Sequence, residues 1–277
     1  MLTAAEIQSL NERFDAAPTE SVLKWAWQQF GERAAIGTSF QGAGLAIIHL
    51  SRQLGCNFPV FTLDTGLLFP ETIALKERLE KFLGIQVEPL VPDLSVQAQE
   101  ETLGPELWKR DPDLCCTMRK VLPLQSKLAE LDCWITGLRR QQSDTRSSIA
   151  IVEAYAADAS EKSVALIDSS ISQANHIEPP YSVGLLGSRV EPTFPATNST
   201  REIIKLNPLA NWSREAVWDY IQKHKIPYNP LHDQGYRSIG CWPCTAKSSD
   251  PANERAGRWT GFSKAECGIH TFMARKA

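Results

Sequence analysis

The sequence predicts an α/β protein, with a mainly parallel sheet flanked by helices in one domain over residues 1–250 and a C-terminal tail over 251–277. Three observations carry that prediction. From residue 34 onward, short apolar runs alternate with helical stretches, the order that builds a parallel sheet with helices on its faces. Three of those runs end in Gly-rich or polar loops, at 37–44, 64–66 and 137–146. The 277 residues, 43% hydrophobic and 22% charged, are enough to bury a full core.

Residues 1–30 read as helical, with Leu23, Trp25, Ala26, Trp27 and Phe30 as apolar surface. Residues 34–40 then read as a buried strand and Gly42 to Leu54 as the helix after it. Phe58 to Leu63 is a second strand, running into Asp64-Thr65-Gly66. Pro70-Glu71-Thr72 opens a helix in the way helix starts prefer, which runs to Leu83 and stops at Gly84. Residues 85–91 form a third strand. Cys116 to Leu131 reads as a helix, with Pro123 as a kink or its true start, and 133–137 as a fourth strand. Residues from about 158 to 201 are rich in Ser, Asn, Pro and Gly and read as an inserted surface loop. Regularity returns at 203–206, and Ser213 caps a helix from Arg214 to His224. Beyond Pro230 the chain reads as a metal-organised segment and tail.

Bulk properties exclude several classes. A formal charge of −3 argues against a general nucleic-acid binder but leaves room for a local basic pocket. Apolar runs such as Leu45-Ala46-Ile47-Ile48 are far too short to cross a bilayer, and the N-terminus lacks the pattern of a secretory segment. A reduced, cytoplasmic setting is expected, so the seven cysteines point to metal binding or catalysis before disulfides.

The strand-end loops suggest an anionic ligand. In Gly37-Thr38-Ser39-Phe40-Gln41-Gly42-Ala43-Gly44, small residues admit backbone N–H groups close to a phosphate at a helix start. Taken alone, the string is more simply a small-residue turn, and it lacks the Gly-Lys-Ser/Thr ending of a P-loop. Asp64, Thr65 and Gly66 lie where open sheets bind ligands, although an Asx turn explains Asp64 equally well. Gly137, Arg139, Arg140, Gln142, Ser143 and Arg146 form a polar loop with three arginines, suited to phosphate or sulfate. A solvated basic turn is the plainer reading of that run alone. Three such loops at one sheet edge make a nucleotide-like anion the better account.

Four cysteines fall in two pairs, Cys115-Cys116 and Cys241-x-x-Cys244. Adjacent side chains on an ideal helix diverge by about 100°, so the first pair needs a helix start or distorted backbone. Four thiolates suit zinc or an iron–sulfur cluster by count, and spacing alone favours structural zinc. Cys267 stands apart, with Arg255, Arg258, Lys264 and His270 near it in sequence and Glu266 beside it. Cationic neighbours lower a thiol pKa, so Cys267 is a candidate nucleophile. Gly257, Gly261 and Gly268 suit a mobile tail. Cys56, Cys133 and His49 are assigned to the core.

Taken together, the motifs resemble the assimilatory adenylyl-sulfate reductases, a branch of the phosphoadenylyl-sulfate reductase family. The matching strings are Leu63-Asp64-Thr65-Gly66 with Pro70-Glu71-Thr72, Cys115-Cys116-x-x-Arg119-Lys120-x-x-Pro123-Leu124 and Gly137-x-Arg139-Arg140-x-Gln142-Ser143-x-Thr145-Arg146. They continue with Asn207-Pro208-Leu209-Ala210-x-Trp212, Gly235-Tyr236-x-Ser238-Ile239-Gly240-Cys241-x-Pro243-Cys244-Thr245 and Glu266-Cys267-Gly268-x-His270. The resemblance implies an adenine-nucleotide α-hydrolase-like fold. It also implies a [4Fe–4S] cluster on Cys115, Cys116, Cys241 and Cys244, in place of zinc. Cys267 would be the nucleophile on adenylyl sulfate, with Lys120 and His270 as further catalytic candidates. Ser39, Phe40, Gly42, Asp64, Thr65, Gly66, Gly137, Arg139, Arg140, Gln142, Ser143, Arg146, Arg255 and Arg258 would bind substrate. Thioredoxin or glutaredoxin would act in trans and release sulfite, and a homo-oligomer is compatible with the pattern. The alternatives are the 3′-phosphorylated substrate or dual specificity, and a zinc-organised nucleotide-binding protein without turnover. An ATP pyrophosphatase ranks third. The phosphate loop lacks the acidic residue expected after Gly42-Ala43, and the 158–201 insertion has no counterpart in the motifs.

Overall fold

The computed structural model describes residues 2–156, 202–248, 250 and 253–273. The N-terminal helical stretch is two helices, α1 (Ala4–Asp15) and α2 (Thr19–Phe30). Thr3 and Glu6 close a capping box on α1, and Pro18 immediately precedes α2, where a missing N–H costs nothing. The sheet strands are β1 (Ala34–Thr38), β2 (Val60–Leu63), β3 (Val87–Leu90), β4 (Cys133–Ile135), β5 (Val152–Ala156) and β6 (Glu202–Leu206). Their spatial order is β3-β2-β1-β4-β6-β5. All neighbours run parallel except β5, which pairs antiparallel with β6 at one edge. Pro89 is tolerated in β3 because β3 is the other edge strand.

Helix α3 (Gly42–Gln53) is buried continuously from Ala43 to Ser51, as a helix that is apolar all round should be. His49 lies within it, and Cys56 and Cys133 join the same core. Helix α4 (Pro70–Leu83) ends where Gly84 turns left-handed at φ 61°, a conformation glycine adopts without strain.

The expected helix over 116–131 is not one regular helix. Helix α7 (Pro112–Cys116) passes into a π-helical turn (Thr117–Val121) and then α8 (Leu122–Leu128). Pro123 lies at the start of α8. The extra residue in the π turn re-aims the side chains that follow the cysteine pair, and such bulges gather at functional sites. Periodicity did not mark α5 (Val96–Leu103), α6 (Leu107–Arg110) or β5. Helix α9 (Arg214–Lys223) begins as expected, with Ser213 Oγ accepting from the Ala216 N–H. The expected inserted loop at 158–201 lies outside the described residues. No helix among the described residues is long and apolar enough to cross a membrane.

Candidate active site

Strand β1 has β2 on one side and β4 on the other, so the connections leave it in opposite directions. Ligands collect beyond the strand ends at such a switch point. A cavity of about 210 Å³ opens there. It is lined by Ser39, Phe40 and Gly42 after β1, Thr65 after β2, and Gly137, Arg139, Gln142 and Arg146 after β4. Lys120, Arg255, Arg258, Cys267 and His270 line the same cavity. Three loops, the π turn and the C-terminal segment therefore meet in one place.

The β1 loop is held by its own hydroxyl and by a distant backbone. Thr38 Oγ1 accepts from the Phe40 N–H at 3.0 Å, and Phe40 sits at a positive φ of 55°, a strained conformation for a non-glycine residue. The Gln41 amide donates to Ile239 O at 2.6 Å and accepts from Ile239 N at 3.3 Å. After β2, Asp64 accepts from the Gly66 N–H at 3.0 Å, an Asx turn. Neither Asp64 nor Gly66 lines the cavity.

The β4 loop carries most of the charge. Gln142 braces it, accepting from Arg139 N (3.1 Å) and Arg146 Nη1 (2.6 Å) and donating to Gly137 O (3.2 Å). Arg139, 3% exposed, donates from Nη2 alone to both carboxylate oxygens of Glu254, at 2.7 and 2.8 Å. Arg146 forks onto Glu266, Nε at 2.8 Å and Nη2 at 2.6 Å, while Arg255 reaches Glu266 at 3.2 Å and Ala265 O at 2.9 Å. Burial opposes the Glu266 charge, but Arg146 and Arg255 outweigh it and hold the carboxyl below its ordinary range. Burial, reinforced by Arg146, lowers Arg255 to about 10, which leaves it charged at neutral pH. Arg140 points elsewhere, donating to Ile149 O and pairing with Asp15 at 2.9 Å. Ser143 bonds Thr145 and does not line the cavity.

All four paired cysteines line a small void below this cavity, together with Leu67, Trp108, Arg119 and Lys120. Cys115 and Cys241 pack with Leu67, Leu103, Leu107, Trp108 and Leu114 in a separate apolar cluster. The two pairs are brought together by short ties. The Trp242 N–H donates to Leu67 O at 2.8 Å, and the Thr65 hydroxyl lies 3.3 Å from Cys241 Sγ. Burial pushes the Cys115 thiol up to about 12 and Cys116 to about 11. For Cys241 burial is outweighed by Lys120, Thr65 and Arg258, and its thiol falls below the ordinary value. Lys120 is 8% exposed; burial disfavours its charge, but the sulfurs of Cys241 and Cys116 raise it above an ordinary lysine. Among the described residues, no three His, Cys, Asp or Glu are grouped closely enough to hold a single ion. The donor set of four soft thiols, three of them buried and the fourth half-buried, fits an iron–sulfur centre.

Arg119, 3% exposed, staples the surroundings through Thr65 O (2.5 Å), Gln99 Oε1 (3.0 Å) and Leu94 O (3.3 Å).

His270 stacks on Trp134 with ring centroids 5.2 Å apart and an interplanar angle of 14°. Burial, then the charges of Lys205, Arg146 and Arg255, push its pKa well below that of an ordinary histidine. The imidazole is therefore neutral at pH 7. Behind Trp134, Lys205 lies 3.6 Å from Glu153, both nearly inaccessible.

Four cavity-lining side chains carry buried polar atoms without a partner among the described residues: Trp134 Nε1, Arg139 Nε, His232 Nε2 and His270 Nδ1. Buried polar atoms are ordinarily paired, so these are groups to which a polar ligand would be welcome. Sequence reasoning missed His232, Arg214, Arg237 and Glu254, which also line the cavity. Arg237 lies inside a motif that had been read, whereas Glu254 and His232 gave no local signal.

The profile of the phosphoadenosine phosphosulfate reductase domain matches residues 33–247. "Adenosine 5'-phosphosulfate reductase 2" of Bacillus subtilis is 38% identical over 250 residues, 90% of this chain and 88% of its own. "Adenosine 5'-phosphosulfate reductase" of Salinibacter ruber is 37% identical over 97% of this chain and 90% of its own. "Phosphoadenosine 5'-phosphosulfate reductase" of Gloeobacter violaceus is 36% identical over 92% and 89%. The crystal structure of phosphoadenylyl-sulfate reductase from Candida auris superposes with a TM-score of 0.65 at 25% identity, over 89% of this chain and 98% of that one. Its sheet-and-helix architecture is the one described above.

Proposed function

The chain belongs to the phosphoadenosine phosphosulfate reductase family, and on that premise we propose that it reduces adenylyl sulfate to sulfite and AMP in assimilatory sulfate reduction, with thioredoxin or glutaredoxin as thiol donor. The observation that carries the reading is a single cavity shared by Cys267, Lys120 and the loops after β1 and β4.

The chemistry balances with thiols alone. The Cys267 thiolate attacks the sulfate sulfur, an S–S bond forms, the S–O bond to phosphate breaks, and AMP leaves with the electron pair. The enzyme then holds an S-sulfocysteine. A donor thiolate attacks Cys267 Sγ and expels sulfite, and the donor's second thiol resolves the mixed disulfide. Both electrons come from the donor, and covalent catalysis splits one hard step into two. Cys115, Cys116, Cys241 and Cys244 would hold a [4Fe–4S] cluster, which would supply a fixed charge centre close to the cavity. Lys120, which lines both the void of the paired cysteines and the cavity that Cys267 lines, meets the anionic substrate with a buried cation, where electrostatic stabilisation counts most. The loops after β1 and β4 orient the nucleotide, and the C-terminal segment excludes water from the sulfur. A cytoplasmic setting suits free thiols.

The test is thioredoxin-dependent sulfite release by anaerobically purified protein, comparing adenylyl sulfate with its 3′-phosphorylated form by kcat/KM. Preference for adenylyl sulfate is expected; preference for the phosphorylated form would move the specificity to that named for the Gloeobacter violaceus relative. Colourless protein carrying stoichiometric zinc and releasing no sulfite from either nucleotide would overturn the reading.

A further inference from the structure

The residue before Cys267 is held more firmly than the cysteine itself. Glu266 receives both nitrogens of the Arg146 fork, at 2.8 and 2.6 Å, with Arg255 at 3.2 Å and the Thr145 hydroxyl at 3.2 Å. Arg255 also grips Ala265 O at 2.9 Å, so two successive residues ahead of the cysteine are fixed by arginines that line the cavity. Arg146, Arg255 and Glu266 side chains are only 10–15% exposed. A bidentate arginine–carboxylate pair fixes orientation as well as distance, and out of water it is costly to break from one side. Arg146 has its remaining nitrogen on Gln142 at 2.6 Å. Each of its three nitrogens thus has a protein partner, which occupies three of the five guanidinium N–H groups, although the sequence placed it on the substrate.

We propose that Glu266 is a positioning residue. Its carboxylate, latched onto Arg146 and Arg255, sets the C-terminal segment so that the adjoining Cys267 faces the cavity, and Arg146 acts through this latch. A second carboxylate, Glu254, seats the start of the same segment on Arg139, so the cysteine-bearing stretch is anchored at both ends of the β4 loop. The consequence for the reaction rests on the reading of Cys267 as nucleophile; the latch itself does not.

The test uses the full chain, purified anaerobically, as parent, Glu266→Gln, Arg146→Gln and the double variant. Three quantities are read: AMP affinity by calorimetry, the single-turnover rate of Cys267 S-sulfonation with adenylyl sulfate by mass spectrometry, and the rate of tryptic cleavage after Lys264. Each single variant is expected to slow S-sulfonation and speed cleavage, each about tenfold, the size of one lost interaction of ~1.4 kcal/mol. In Glu266→Gln, AMP affinity should fall no more than a few-fold. The double variant should fall no further than either single one, because both remove the same pair. Parental S-sulfonation and cleavage in Glu266→Gln would overturn the latch, as would fully additive effects in the double variant. Tighter AMP binding with faster S-sulfonation would make Glu266 a competing anion and would overturn it too. If the parent itself forms no adduct on Cys267, the proposed reaction fails, while cleavage and its additivity still decide the latch.

Discussion

His270 shows how much of a residue's role depends on what it packs against. From its place in Glu266-Cys267-Gly268-x-His270, the sequence makes it a catalytic candidate. The structure stacks it on Trp134 and surrounds it with Lys205, Arg146 and Arg255, so its native pKa is depressed, with burial as the first cause. For a base the sign is clear. The native state refuses a proton that the unfolded chain accepts below its ordinary value of 6.5, so stability is lost as the pH falls from there toward the native pKa. The loss is at most about 1.4 kcal/mol per pH unit for one proton. A His270→Phe variant keeps the stack and cannot titrate. Thermal melts at pH 7.5 and 5.5 should therefore show a smaller acid loss in the variant than in the parent; equal losses would remove His270 as the cause. The arginines of the β4 loop were legible as loop residues, but their partners were not. Glu254 and Glu266 lie 115 and 120 positions away from Arg139 and Arg146, and a single sequence carries no record of such pairing. Arg140, read in the same run, turns instead to Asp15.

At the level of elements, alternation of strand and helix gave the parallel sheet, because buried strands and amphipathic helices have different periods. The π turn at Thr117–Val121 was not legible, since a one-residue bulge leaves no periodic trace. The sequence asks only for a helix start or distorted backbone at Cys115-Cys116, and the pair lies in the five-residue α7 immediately before that turn. The loops after β1 and β4 make a sharper prediction. A Cβ on Gly137 would stand 3.0 Å from the Gly44 backbone N and 3.3 Å from Ala43 Cβ. Neither can rotate away, so the two loops must move apart. Gly137→Ala should weaken AMP binding by about tenfold or more, since small misplacements at a site are costly, while far-UV circular dichroism is unchanged. Parental affinity measured by calorimetry would show that the two loops do not jointly form the nucleotide site.

For the whole molecule, the decisive feature is that two separately packed regions share one cavity. The sheet and its main core supply the loops after β1 and β4. The smaller cluster around Leu67, Trp108 and Leu114 supplies the four thiols and, through the π turn, Lys120. The 241–244 turn is tied to the β2–α4 connection by Trp242 N to Leu67 O and Thr65 to Cys241, and to the Cys115 side by the shared apolar cluster and the Trp108–Trp242 ring pair, with the void between the four thiols. A centre bound there, as proposed, would further join α7 to that turn, and binding to the folded state alone would stabilise it. Stripping the centre with oxidant and chelator should loosen the smaller region and spare the sheet. Proteolysis should then open at sites within 104–120 and 235–248, with strand content by circular dichroism retained. AMP affinity should change little, because the β1 and β4 loops belong to the main core, whereas S-sulfonation of Cys267 should fall by roughly tenfold or more, beyond the ~1.4 kcal/mol of one interaction. Simultaneous loss of strand signal and AMP binding would mean that the two regions fold as one, and that the thiol centre supports the nucleotide site as well as the sulfur chemistry.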